Sequence, residues 1–414
     1  MGNVLIIGFV WPEPASSAAG RRMLDIISFF KSHNSQITFV STAKKTDFSV
    51  DLTALNIEVS TIKLNSNSFD EFIKNLQPDL VVFDRYMTEE QFGWRVVENC
   101  PEAIRILDTE DLHFLRKARK TAIDKNGNLE KVNLISDLTK REIASIYRCD
   151  LTLIISEYEL NLLTTEFNVP EYLLVYFPLH TVIANDPAKK EMPSFNERAH
   201  FISIGNFKHA PNTDAVLQLK NVIWPRLTKQ LPDAELHIYG AYCPEAIKAL
   251  SNKKDRFIVK GRAESVSKIM QNAKAYLAPI RFGAGIKGKL LDAMENGLPG
   301  VTTSIGAEGM HANLPWNGYI TDTTEFFVEA AVKLYTNKTI WNSAVDNGYA
   351  ICKTRFNYTI SYSALSEKLQ NTAKHLKTHR TKNFIGTMLL HHSMRSTQYL
   401  SKYIELKNST NSKN

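Results

Sequence analysis

Cysteine is scarce in this chain of 414 residues: Cys100, Cys149, Cys243 and Cys352 are widely separated and none has CxxC spacing. Three of them lie in or beside apolar segments, so reduced, partly buried thiols are expected rather than disulfides or a cysteine metal site. No stretch approaches the roughly 18 uninterrupted apolar residues of a membrane span. The opening MGNVLIIGFVWPEP has an apolar run only a strand long, without a basic flank or a small-residue cleavage site, so no signal peptide is expected. Ile6 stands where a myristoylation signal after Gly2 needs Ser or Thr. These absences together predict a cytoplasmic protein. The sequence also lacks a GxGxxG turn after its first strand, which argues against a nicotinamide-binding domain. It has no DxD triplet and no histidine cluster of metal-ligand spacing, so no metal ion and no organic cofactor is expected.

What is present is an ordinary globular composition, 43% hydrophobic and 22% charged, in a chain too long for one core. Two domains are the starting expectation. The net charge is +7, and six basic residues from Arg380 onward (Arg380, Lys382, Arg395, Lys402, Lys407 and Lys413) face one acid there, Glu405. The body is therefore close to neutral. A nucleic-acid partner, which calls for a basic folded face, is not expected.

Short apolar runs alternate with helical stretches along the chain. VLIIGFV, QITFVST, VSTIKL, DLVVFD, IRILDT, LTLIIS and LLVYFP are uniformly apolar rather than alternating, the pattern of parallel strands covered on both faces. Helices are expected over 20–32, 88–99 and 129–147. The segment 183–199, IANDPAKKEMPSFNERA, has two prolines, mixed charge and no apolar period, and reads as a solvated linker. A second series follows: HFISIG, AELHIYG, RFIVKG, AYLAPI, GVTT and GYIT, with helices from residues 212, 244, 264 and 285 and helical patterns over 326–335, 340–353 and 358–376 closing that half. The expected fold is α/β, two Rossmann-like doubly wound domains facing across a cleft (1–182 and 200–355), a closing helix over 356–379 and a basic tail over 380–414.

Ligands of open parallel sheets bind beyond the carboxyl ends of the strands. The richest such turn is APIRFGAGIKGKLLDAMENGLPGVTT. Gly283, Ala284 and Gly285 allow close backbone approach, a helix then opens with its positive end free, and Lys287 and Lys289 can neutralise a diphosphate. Asp292, about a turn later, suits ribose hydroxyls. Taken alone, the segment is equally a tight turn with a solvated helix face.

With its neighbours, the segment resembles glycosyltransferase family 4, in particular a bacterial branch whose donor helix reads GxG(I/V)KxK, then an acid, a small-apolar pair and GxP. Further landmarks are IGNFKHAPNTDAV, IWP, LPDAELHIYG, VKGR, TSIGAEGM, ILDTEDLHFLRKAR and LTLIISEYELNLL, in order up to about Leu376. The resemblance implies the GT-B architecture and a retaining, metal-independent transfer from a nucleotide-diphosphate sugar, used as co-substrate, to a saccharide or lipid-linked saccharide. It implies that Gly283, Gly285, Ile286 and Lys287 cradle the diphosphate and Asp292 holds the ribose. The family's Glu eight positions earlier, which touches the donor sugar, is replaced here by Ala284, and its second acid by Asp. The family's phosphate-binding Arg near Asn206 is replaced by Lys208. Gly205 and Asn206 are expected to line the cleft, Arg262 to frame the base, and Gly20 and Arg21 to meet diphosphate or acceptor. For each of these there is a plain alternative, a solvated arginine or a tight turn.

The strand end DTEDLH offers Asp108, Glu110, Asp111 and His113. They suit acceptor binding and polarisation of its hydroxyl, or else helix capping with the rest exposed. SEYE over 156–159 reads as a helix cap with first-turn acids. The tail mixes Phe384, Ile385, Met388, Leu389, Leu400 and Ile404 with basic residues, fitting either peripheral contact with the inner face of an anionic membrane or a loosely docked extension. Two rival activities remain, a nucleotide-sugar epimerase on the same scaffold and a degenerate GT-B protein that binds nucleotide without transfer.

Overall fold

A computed structural model of the chain describes residues 2–125, 129, 132–181 and 192–411. Its first half is a seven-stranded sheet in the order β3-β2-β1-β4-β5-β6-β7, built from β1 (Asn3–Gly8), β2 (Gln36–Ser41), β3 (Glu58–Thr61), β4 (Leu80–Asp84), β5 (Ile104–Asp108), β6 (Leu151–Ile154) and β7 (Leu174–Tyr176). The second is a six-stranded sheet in the order β10-β9-β8-β11-β12-β13, built from β8 (Ala199–Ile204), β9 (Leu236–Tyr239), β10 (Phe257–Gly261), β11 (Ala273–Ala278), β12 (Gly300–Thr302) and β13 (Gly318–Ile320). Neighbouring strands in both sheets are parallel. This is the GT-B architecture, and every expected strand run contributes one strand.

The uniform apolarity of the strands has a direct cause. Leu5, Ile7, Val81 and Phe83 point into one core, while Val4, Ile6, Val82 and Ile106 point into a second on the opposite face, with Phe29 and Phe30. The second sheet divides likewise, Ala275 and Leu277 going to one face and Tyr276 and Ala278 to the other. Both faces are covered by crossover helices, so the middles of the central strands are apolar, and the buried charges Asp84, Arg105 and Asp108 sit at or near strand ends. Serines start several of these helices: the side chains of Ser17, Ser136 and Ser156 accept from the amides of Gly20, Thr139 and Glu159 at 3.1, 3.2 and 3.2 Å.

Four expectations need correction. Of the proposed linker 183–199, residues 183–191 lie outside the described residues, and its end is only partly solvated: Ser194, Asn196, Glu197 and Ala199 are exposed, but Phe195 and Arg198 are buried. There Phe195 packs edge-on to Trp341, and buried Arg198 donates to the carbonyls of Pro193, Met270, Ala273 and Asn296. The helix expected over 129–147 is observed as Asp137–Arg148, and a further helix, His113–Asp124, precedes it. The helix Tyr358–Lys374 closes the first half rather than the second. Leu365 and Leu369 enter the first sheet's core and Tyr362 stacks on Phe177 with ring centroids 6.0 Å apart. The tail, finally, is neither extended nor loose.

From Leu376–Lys382 the chain continues into a long helix, Phe384–Asn411, laid against the helices Arg85–Asn99 and Asp137–Arg148. Arg380 fixes the start of the tail, reaching both carboxylate oxygens of Asp150 at 2.8 Å and the carbonyl of Ala103 at 2.7 Å. Met394 is buried, Asn383 donates to the carbonyl of Tyr147, and Glu405 accepts from the amide of Asn67. The outer face keeps Phe384, Ile385, Met388, Tyr399, Leu400, Tyr403 and Leu406 exposed. Among the described residues no helix is long and apolar enough to cross a membrane.

Candidate functional site

A cavity of about 710 Å³ opens between the two halves at the carboxyl ends of their strands. The first half supplies the loop after β1 (Pro14 to Ala19), Arg21, and Glu110 and Asp111 after β5. The second supplies Gly205 and Asn206 after β8, Arg262 after β10, and the turn from Ile280 into the helix Gly288–Glu295. Gly205, Asn206, Arg262, Gly283, Ala284, Ile286, Lys287, Lys289, Asp292, Arg21, Glu110 and Asp111 all line it. The sequence therefore brought together twelve residues from both halves around one space.

The helix opening Gly288–Glu295 gives the cavity a positive end, because first-turn amides have no partner within a helix. Lys287 is its N-cap residue, with Nζ 2.8 Å from the carbonyl of Gly285, and Lys289 donates to Asn212. Burial holds both ammonium groups below their ordinary range, Lys289 at about 8. Two cations largely withdrawn from solvent beside a cavity favour an anionic occupant, which would raise both pKa values again. The carboxylates of Glu308, Glu159 and Asp111 partly offset the burial at Lys287.

Gly285 has a narrower role than expected. Its φ of 64° is a left-handed conformation that glycine adopts freely, and a Cβ there would stand 2.9 Å from that of Asp111. Its amide, however, donates to Glu159 at 2.9 Å and is not available to a phosphate. The same Glu159 oxygen accepts from Leu112 at 3.0 Å, so this buried carboxylate ties the two halves together. Burial, reinforced by the charge of Asp111, raises it to about 7.

Three sequence-based assignments fail on geometry. Asp108 does not face the cavity: it is buried beneath it in an ion pair with Arg22, equally buried, at 2.7 Å. A carboxylate so enclosed positions the DTEDLH turn, through the Glu110 amide at 3.4 Å, rather than meeting an acceptor. Gly20 does not line the cavity either; the backbone of Glu13 lies across it, 2.4 Å from where a Cβ would be. Lys208 is exposed, its ammonium 3.4 Å from the centroid of the Tyr242 ring and outside the lining.

Arg21 lines the cavity with its charge already engaged. It pairs with Asp292 and with Glu295, the latter at 3.1 Å, and donates to the carbonyl of His180. The acid expected to hold ribose is thus covered by an arginine of the opposite half. Arg262 stacks over Phe48 at 4.2 Å, and the Asn206 amide donates to the carbonyl of Ser16 at 3.2 Å, so second-half residues touch the first half on this side too.

Glu110 and Asp111 differ sharply in charge. Burial lifts Glu110 to about 7 despite Arg85 at 3.4 Å, and its φ of 64° is rare for a side-chain-bearing residue. Asp111 is pushed up by burial but pulled down further by Arg116 and by His113, ending below the usual carboxylate range. A carboxyl group that titrates near neutrality at the rim of a cavity can accept a proton from a hydroxyl. Sequence reasoning did not single out Arg116 and His209, which also line the cavity, or the pair Arg119–Glu308 at 2.7 Å that spans the halves behind it. His209 and Arg116 stood inside quoted landmarks but formed no spacing with the residues they meet.

Comparison with known proteins agrees with this fold. Residues 198–337, the second half, match the family described as glycosyl transferases group 1. A protein from Klebsiella pneumoniae, described as an uncharacterized 44.6 kDa protein in the cps region, is 23% identical over 248 residues, which cover 56% of this chain and 60% of that relative. Among solved structures, TarM of S. aureus in complex with fondaparinux, alpha-GlcNAc-glycerol and UDP superposes with a TM-score of 0.67 at 10% identity, covering 90% of this chain and all of that one. The pneumococcal O-GlcNAc transferase GtfA with UDP and GlcNAc gives 0.64 at 13% identity, over 91% and 99% of the two chains. The fold is that of the GT-B glycosyltransferases.

Proposed function

We propose that this protein is a retaining, metal-independent glycosyltransferase that moves a sugar from a nucleoside-diphosphate donor to a saccharide or lipid-linked saccharide in cell-surface polysaccharide or glycan synthesis. The observation that carries the reading is the pair of lysines, Lys287 buried and Lys289 half-buried, at the helix N-terminus beside a cavity shared by both halves. Fixed cations and amide dipoles aimed at a diphosphate stabilise it most when the bond from the anomeric carbon to its oxygen breaks, since negative charge grows there. The acceptor hydroxyl oxygen then bonds to that carbon on the face the diphosphate leaves. Its proton passes to the departing phosphate oxygen, so no protein nucleophile is required. Glu110, on the acceptor side, assists by accepting a hydrogen bond from the hydroxyl. The UDP in the TarM and GtfA complexes supports a uridine nucleotide, and the cps-region relative supports the polysaccharide role. In this reading the enzyme works in the cytoplasm, and the exposed apolar and basic residues of the Phe384–Asn411 helix hold it at the inner face of the membrane.

A second reading, nucleotide binding without transfer, is favoured by Ala284 in place of an acid and by Arg21 closing over Asp292. A panel of UDP-, GDP- and ADP-sugars, followed by mass spectrometry for released nucleotide and for glycosylated or hydrolysed product, separates the two. Turnover of one donor supports transfer; tight nucleotide binding with no turnover of any donor supports the second reading.

A further inference from the structure

On the second sheet, away from the cavity, three side chains converge that the sequence scatters. Glu235 immediately precedes β9 and His237 is its second residue, so their i, i+2 spacing places both on one face. The pairing Phe201↔Leu236 sets His200, the second residue of β8, opposite Glu235. The Nε2 atom of His237 lies 2.7 Å from a Glu235 oxygen, Nδ1 of His200 lies 3.7 Å from the same oxygen, and the three ligand atoms all fall within 4.8 Å of one another. Ligands of a tetrahedral zinc ion at its usual bond lengths stand about 3.3 Å apart, within the span of these contacts.

We infer that His200, Glu235 and His237 form a binding site for one divalent transition-metal ion of the zinc class. Two imidazoles and one carboxylate favour zinc, cobalt or nickel over magnesium or calcium, which take oxygen ligands. Half-exposed His200 and Glu235 leave the fourth position to water. His200 also holds a φ of 66°, a conformation that costs a non-glycine residue free energy and here turns its ring toward His237, with centroids 4.5 Å apart. The site lies at the amino ends of β8 and β9, whereas the cavity lies at their carboxyl ends, and none of the three residues lines the cavity. A bound ion therefore clamps two strand ends rather than joining the chemistry. Sequence spacing carries no sign of the cluster, because His200 joins Glu235 and His237 only through the pairing of β8 with β9.

The test is titration of the full-length, chelator-treated protein with zinc sulfate by calorimetry, and with cobalt by visible absorption. One ion per chain is expected. His200→Asn, which tolerates the left-handed backbone, and Glu235→Gln should each weaken binding by more than about a hundredfold, beyond the roughly 10- to 100-fold that loss of an outer partner of a ligand costs. Both side chains are partly exposed, so circular dichroism should be unchanged in either variant. Absence of stoichiometric zinc uptake, or equal affinity in the wild type and both variants, would overturn the inference.

Discussion

Lys287 carries more of the proposed chemistry than any other single residue. Its ammonium is enclosed, bonded to the Gly285 carbonyl, and surrounded by carboxylates that keep it charged. Lys287→Ala should lower kcat by on the order of 10²- to 10³-fold, the usual loss for one preorganised group that stabilises transition-state charge. The melting temperature should stay within a few degrees, because the Lys287 side chain itself borders the cavity rather than packing in a core. Full activity in the variant would remove the assigned role. Glu110 yields a separate expectation. Burial raises it to about 7, so the base form is lost as pH falls through that value, and kcat/KM should decline on the acid side. Glu110→Gln should abolish that limb of the profile, and an unchanged profile would show that another group titrates.

At the scale of elements, the His113–Asp124 helix depends on a residue outside itself. The Glu142 carboxylate accepts from the first-turn amides of His113 and Phe114 at 3.0 and 2.6 Å, replacing the side-chain cap that Leu112 cannot provide. Glu142→Ala should cost about 1–2 kcal/mol, as loss of a helix cap does. Burial raises Glu142 to about 8, outweighing the two amides that pull it back. The native state thus keeps a proton that the unfolded chain releases above about 4.5, so stability from this residue is fully present below that pH and is lost as pH rises through 8. The penalty of Glu142→Ala, read from urea unfolding, should therefore be larger at pH 5 than at pH 9; the reverse order would contradict the protonation assigned here.

Elements also show what could be read in the sequence. Strands were legible because a sheet covered on both faces leaves a continuous apolar run such as LVVFD or IRILD, whereas of the cap serines only Ser156 is legible as one, and the helix that Ser136 starts is expected from 129. The cavity was legible because its residues cluster after strand ends, at Gly205 and from Gly283 to Asp292. Asp108 was misplaced because an acid at a strand end looks the same whether it faces the cleft or an arginine beneath it, and Arg22, its partner, is 86 residues away in the chain. The tail was misjudged for a similar reason. Its docking rests on polar contacts such as Arg380 to Asp150, which leave no apolar period to detect. Arg380→Ala, which leaves Asp150 only Arg105, should cost about 3 kcal/mol, the low end for breaking a buried pair. A melting temperature equal to wild type would mean that the tail docks without it.

At the scale of the whole molecule, polar links that join the halves around the cavity include Arg21 to Asp292 and Glu295, Glu159 to the Gly285 amide, Arg119 to Glu308 and the carbonyl of Gly283, Asn206 to the carbonyl of Ser16, and Tyr242 to Glu13. Two-domain enzymes commonly close around their ligands by hinge motion, and links of this kind hold the closed arrangement. Arg21 is the one link whose partner, Asp292, a ribose would also claim, so donor entry must exchange that pair. Arg119 lies behind the cavity and has no such competitor. Arg119→Ala should therefore loosen closure without removing a side chain that lines the cavity, although it also frees the Gly283 carbonyl. Small-angle scattering should show a larger radius of gyration in the nucleotide-free variant, and saturating nucleoside diphosphate should restore part of the difference. Nucleotide affinity should fall several-fold, because part of the binding free energy is then spent on closure. If the variant matches wild type in both size and affinity, the link is incidental and closure rests on the remaining contacts between the halves.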